Sequence, residues 1–130
     1  SGTLVGGNLS LITSIAGSKF NFLDHRDDII LFIEDIDENL EHLNRMTYQL
    51  IASGVIDRVK AIILGDFGGY RPTADFDTVE QMFDSIFQNY NIPICYKFPC
   101  GHTFRNFPMI EGAKVTLTIT GESTTLQFDI

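Results

Sequence analysis

The sequence predicts an α/β domain with a mostly parallel sheet, flanking helices and a C-terminal antiparallel hairpin. Three observations carry that reading. IILFI (29–33) and VKAIILG (59–65) are short apolar runs of branched and aromatic residues, the pattern of strands covered on both faces. The segments that follow them carry apolar residues at helical spacing. The C-terminal AKVTLTITGESTTLQFDI alternates threonine with Val, Leu and Ile on either side of a GES turn, as a hairpin does.

In chain order, GGNLSLITSIAG offers a turn at Gly6-Gly7, an N-cap at Asn8, apolar Leu9, Ile12 and Ile15, and a stop at Gly17, which predicts one short helix. SKFNFLDHRDD reads as irregular or hairpin-like, and the sheet starts at IILFI. From Asp37, the residues Leu40, Leu43, Met46, Leu50 and Ile51 predict a helix ending at Gly54, with Asp35 or Asp37 as its cap. After the strand at 59–65, GDFGGYRPTADFD is a loop. Val79, Met82, Phe83, Ile86 and Phe87 then predict a further helix, capped by Asp77. ICYKF (94–98) is a third strand and PCGHTFRNFP a loop. The order strand, helix, strand, helix, strand, hairpin fits a parallel core with an antiparallel edge.

The 130 residues, 44% of them hydrophobic, suffice for a single domain (1–130) with its own core. Seventeen Asp+Glu against nine Lys+Arg give a net charge of −8, which argues against a nucleic-acid partner. The longest apolar runs fall short of the ~20 residues that span a bilayer, so no membrane segment is expected. SGTLVGGN has neither the basic nor the apolar region of a signal peptide, and a cytoplasmic location is expected. Ser1-Gly2 reads as a cloning scar on an excised piece. Cys95, Cys100 and His102 fall within eight residues of one another and lack a fourth ligand, so no metal is assigned and the cysteines read as reduced, partly buried thiols.

Ligands of open α/β sheets gather beyond the carboxyl ends of the strands. Three predicted loops qualify, carrying Glu34-Asp35, Asp66 and His102. Asp35 and Asp37 suit a helix start. Glu34 caps poorly and adjoins the buried Ile33, so its carboxylate needs a donor. Glu34 and His102 on one rim would make two thirds of a charge-relay constellation, in which the carboxylate fixes the imidazole tautomer. The nucleophile is missing, because no GxSxG elbow exists and Cys100 lies only two residues from His102. The DFG at 66–68 lacks every companion kinase motif. His25 and His42 read as surface residues.

GGNLSLI, IILFIEDIDE, NRMTYQLIASG, VKAIILGDF and FPCGHTFRN, in that order, closely resemble the C-terminal domain of the LD-carboxypeptidases, the serine peptidases that include murein tetrapeptide carboxypeptidase and the microcin C self-immunity peptidases. The resemblance covers nearly the whole chain. It implies a swivelling-type C-terminal domain that supplies the Glu and His of a Ser-His-Glu triad, here Glu34 and His102, while an N-terminal domain absent from this chain supplies the serine. It implies a peptidoglycan-derived peptide as substrate, no cofactor, and an isolated chain without activity. Asn8, Asp66 and Arg105 are candidates for lining the cleft, and a homodimer stays open. The residues after the glutamate are more similar to the tetrapeptide-recycling branch than to the microcin branch. The chain departs from the family where FPMIEG replaces a segment like LPIG after the histidine. A microcin C-type peptidase, a non-catalytic binding module and a Cys100/His102 thiol enzyme are the alternatives.

Overall fold

A computed structural model describes residues 1–130. Its elements are β1 (Gly2–Asn8), α1 (Leu9–Ile15), β2 (Ile29–Glu34), α2 (Leu40–Ala52), β3 (Val59–Leu64), α3 (Val79–Phe87), β4 (Ile94–Cys95), β5 (Lys114–Ile119) and β6 (Thr124–Phe128), with a 3-10 turn at Val55–Arg58 before β3. The six strands form one sheet in the order β4-β3-β2-β1-β5-β6. β1 to β4 are mutually parallel and the β5-β6 hairpin joins β1 antiparallel. The expected α/β class, parallel core and antiparallel edge are therefore present.

All three helices cover one face of the sheet. Leu9 and Ile12 of α1, Leu40, Leu43 and Leu50 of α2, and five residues of α3 pack with Val5, Ile29, Leu31, Ile33, Ile62 and Leu64 of the strands. The intervening strand residues point the other way. Leu4, Ile30, Ala61, Ile63 and Val115 form a second cluster, covered by Phe98, Met109 and the apolar side chains of the hairpin. The sheet curls around this second cluster until its opposite edges converge, so that Cys95 and Tyr96 from β4 and its end share a cleft with Thr124 and Thr125 of β6.

Four expectations need correction. β1 was not foreseen, because GTLVGGN is short of apolar residues and its glycines read as turn signals, yet it is a central strand. Gly2 belongs to it: it pairs with Val115, and a Cβ there would meet the Asp28 carbonyl oxygen at 2.2 Å. The third strand is Ile94–Cys95 rather than 94–98, since Lys97 adopts a positive φ of 53° that ends extended pairing. Helix α2 is capped by Asn39, whose side chain accepts from the His42 amide at 2.8 Å, and starts at Leu40 rather than Asp37, whose φ of 58° is not helical. Helix α3 is capped by Thr78, not Asp77. Thr78 and Gln81 form a capping box in which the Thr78 hydroxyl accepts from the Gln81 amide and the Gln81 side chain accepts from the Thr78 amide.

Thr78→Ala should therefore cost about 1 kcal/mol in urea unfolding, whereas Asp77→Ala should change stability by less than about 0.5 kcal/mol, as for surface sites in general. An equal loss from both would put the cap back at Asp77.

Candidate active site

The carboxyl ends of β1, β2 and β3 lie side by side, with Asn8 paired to Glu34 in register and Gly65 following β3 directly. Strand alternation separates the two adjacent acids at the end of β2. Asp35 turns toward the helices. Its carboxylate, 4% exposed, accepts from the Ser10 amide at 2.9 Å, the Ser10 hydroxyl at 2.6 Å and the Asn8 side-chain amide at 3.1 Å. It thus serves the N-terminus of α1 and not that of α2, a correction forced by the pleat. Asp37 donates its backbone N–H to the Gly68 carbonyl at 2.8 Å and caps nothing.

Glu34 points to the opposite face, into a slot between Gly65 and Gly101. A Cβ on Gly101 would sit 2.8 Å from Glu34 Cβ, Cγ and Oε2, and one on Gly65 would sit 3.1 Å from Glu34 Cβ and 2.5 Å from the Cys100 carbonyl oxygen. Gly101 also has a φ of +108°, which any other residue would adopt only under strain. The loop carrying it is tied to the sheet, with Phe98 N–H donating to Leu64 O at 2.9 Å and Asp66 N–H to Cys100 O at 2.9 Å.

This arrangement sets His102 Nδ1 2.7 Å from Glu34 Oε2. The glutamate side chain is 9% exposed and the imidazole 53% exposed, so the pair has a buried anchor and an open outer nitrogen. His102 makes no other hydrogen bond, and with Nδ1–H donating to the carboxylate, Nε2 carries a free lone pair. The pKa of His102 is raised above the ordinary histidine value, first by the hydrogen bond to Glu34, then by the glutamate charge, with smaller contributions from Asp35 and Asp37.

Cys100 is buried behind this pair, and burial together with the Glu34 charge pushes its thiol up to about 11. A buried, protonated thiol beside a carboxylate is poorly disposed to act as a nucleophile. His42 pairs instead with Glu38 at 2.9 Å on the surface.

The other lining candidates diverge. Asn8 spends its side chain on Asp35 and on capping the Leu11 amide. Asp66 and Arg105 lie in a cleft of about 870 Å³, together with Tyr70, Lys97, Phe98 and Thr103. His102 and Glu34 do not themselves line that cleft, although Thr103, next to His102, and Gly65, which packs on Glu34, do. Arg105 stacks over Phe107 with its guanidinium carbon 5.2 Å from the ring centroid and forms no ion pair. The residues sequence reasoning missed are Gly65 and Gly101, whose signal was the glycine beside each candidate side chain, and Asn106.

An exposed imidazole hydrogen-bonded to a buried carboxylate thus stands at the carboxyl rim of a parallel α/β sheet. The chain belongs to the LD-carboxypeptidase family: residues 1–117 match the model of the LD-carboxypeptidase C-terminal domain. It is 35% identical over 125 residues to a Bacillus subtilis protein named "probable murein peptide carboxypeptidase", covering 95% of this chain and 38% of that protein. It is 30% identical over 105 residues to murein tetrapeptide carboxypeptidase of Pseudomonas aeruginosa, covering 81% and 34% respectively. The structure of muramoyltetrapeptide carboxypeptidase from Oxalobacter formigenes superposes with a TM-score of 0.87 at 29% identity, over 98% of this chain and 45% of that one. The microcin C7 self-immunity protein MccF superposes with a TM-score of 0.78 at 29% identity, over 88% and 35%. The chain thus spans less than half the length of these relatives.

The Glu34–His102 pair makes a specific forecast for solution. The His102 ring signal in NMR should titrate with a midpoint above about 6.5, and Glu34→Gln should return it to about 6.5. Because the folded pKa is the higher one, the stability contributed by the charged pair is complete below about pH 6.5 and fades as pH rises through the folded value. Coincident titrations in both proteins would mean that the pair does not form.

Proposed function

We propose that this chain is the half of a serine LD-carboxypeptidase that supplies the orienting carboxylate and the base, and that Glu34 and His102 carry those roles. The observation that supports it best is the 2.7 Å Nδ1 to Oε2 contact, with the imidazole's outer nitrogen open to a group from outside the chain. No hydroxyl or thiol of the chain hydrogen-bonds that imidazole. The nucleophile then comes from an N-terminal domain, in keeping with a match that spans 38% to 45% of the relatives.

His102 Nε2 takes the proton of the serine as its oxygen attacks the carbonyl joining an L-centre to a terminal D-residue. Glu34 holds the resulting imidazolium through Nδ1–H. The imidazolium then returns its proton to the leaving amine, and the same nitrogen deprotonates the water that releases the acyl group. The printed names of the relatives, a probable murein peptide carboxypeptidase and a murein tetrapeptide carboxypeptidase among them, favour a murein tetrapeptide as substrate. Such a substrate belongs to cell-wall recycling in the cytoplasm. Its free carboxylate needs a cation, and Arg105, with no ion pair of its own, is the candidate on this chain. Asn8 and Asp66 shape the rim.

In the complete protein, Glu34→Ala and His102→Ala should each lower kcat by orders of magnitude with the fold preserved, as members of a catalytic unit do. The chain by itself should release no D-alanine from an L,D-linked tetrapeptide. Turnover by the pure chain, or full activity of Glu34→Ala, would refute the assignment.

A further inference from the structure

The loop that carries His102 has one side-chain clasp, and it lies next to the imidazole. Asn106 Oδ1 accepts from the Gly101 N–H at 3.0 Å. Below it, Phe107 N–H donates to Pro99 O at 2.7 Å, which closes the base of the loop, and Thr103 N–H donates to Gly101 O at 2.9 Å. Gly101 is thus held on both sides of its peptide, with its Cα against Glu34 and its N–H on Asn106. Its φ of +108° is open to glycine but strained for any residue with a Cβ, so the position is held by a flexible residue whose hydrogen bonds set its conformation. The Asn106 bond holds the 100–101 peptide; the next peptide, which leads into His102, is held through the Gly101 carbonyl by Thr103, and the His102 amide has no acceptor.

We infer that Asn106 is a positioning residue: by fixing the Gly101 peptide it aims the His102 imidazole at Glu34 and so selects the Nδ1–H tautomer that leaves Nε2 as the base. Asn106 hydrogen-bonds neither Glu34 nor His102, and its effect on them runs through the backbone. The inference rests on the Glu34–His102 reading for its catalytic meaning, but its test needs no turnover. An error of about 1 Å in placing a catalytic group costs on the order of a hundredfold in rate, so a clasp of this kind matters even though its own hydrogen bond is exposed.

The test is 15N NMR of the imidazole at a pH where His102 is neutral, on the chain itself. Wild type should show predominantly the Nδ1–H tautomer. Asn106→Ala should shift the majority to the Nε2–H form, and Asn106→Asp, which keeps an acceptor oxygen in the same place, should restore Nδ1–H. In the complete protein, Asn106→Ala should lower kcat ten- to a hundredfold with KM little changed. An unchanged tautomer ratio in a folded Asn106→Ala would overturn the inference. Should that variant fail to fold, amide hydrogen exchange of the wild type decides: the Gly101 amide should exchange more slowly than the unbonded His102 amide, and equal rates would overturn it. A shifted tautomer ratio in Asn106→Ala with peptidase activity fully retained would count against the proposed function alone.

Discussion

The hydrogen bond between Glu34 and His102 depends on one steric condition, the absence of side chains at Gly65 and Gly101. A carboxylate in a largely buried position carries a desolvation cost of several kcal/mol unless a donor meets it. The chain supplies a single donor, the imidazole of His102, and brings it within reach only because the 98–107 loop can lie directly on Glu34. The parallel strands exist in service of the same contact. β2 delivers Glu34 at its last residue, and β3 ends where Gly65 must begin.

The pleat gives the neighbouring acids different work. Glu34 faces the loop and the imidazole; Asp35, one residue on, faces the helices and is consumed by Ser10 and Asn8. A slip of one residue in β2 would exchange them, placing the short side chain under the loop and the long one at the α1 terminus. The register between β1 and β2, which sets Asn8 beside Glu34, therefore fixes both the helix start and the site. The curl of the sheet adds a second feature, a cleft between its converging edges that Gly65 and Thr103 help to line.

Much of this was legible in the chain itself. The continuous apolar runs gave β2 and β3, and the helical spacing gave all three helices, because burial on both faces and on one stripe leave distinct periodicities. Glu34 stood out because it caps poorly and sits against Ile33. What was hidden depended on contacts distant in sequence. β1 owes its place to pairing on both sides, which GTLVGGN does not advertise. Asp35 reads locally as a cap for the next helix, whereas, apart from the adjacent Ile36 amide, its partners Ser10 and Asn8 lie 25 and 27 residues upstream. The cap of α3 falls on Thr78 instead of Asp77 because it rests on a reciprocal contact with Gln81 that the residue type at the helix start does not show. The Asn106 clasp has no periodic signature, since it joins residues five apart within an irregular loop.

If the glycine slot is what sets the base for a serine outside this chain, crowding the slot should silence that serine without touching it. The direct measurement is the rate at which a serine-directed fluorophosphonate labels the complete protein, wild type against Gly101→Ala, with circular dichroism confirming the fold. The account predicts rapid labelling of the wild type and a loss of at least ten- to a hundredfold in the variant, as expected for a misplaced base. Labelling at equal rates in two folded proteins would contradict it.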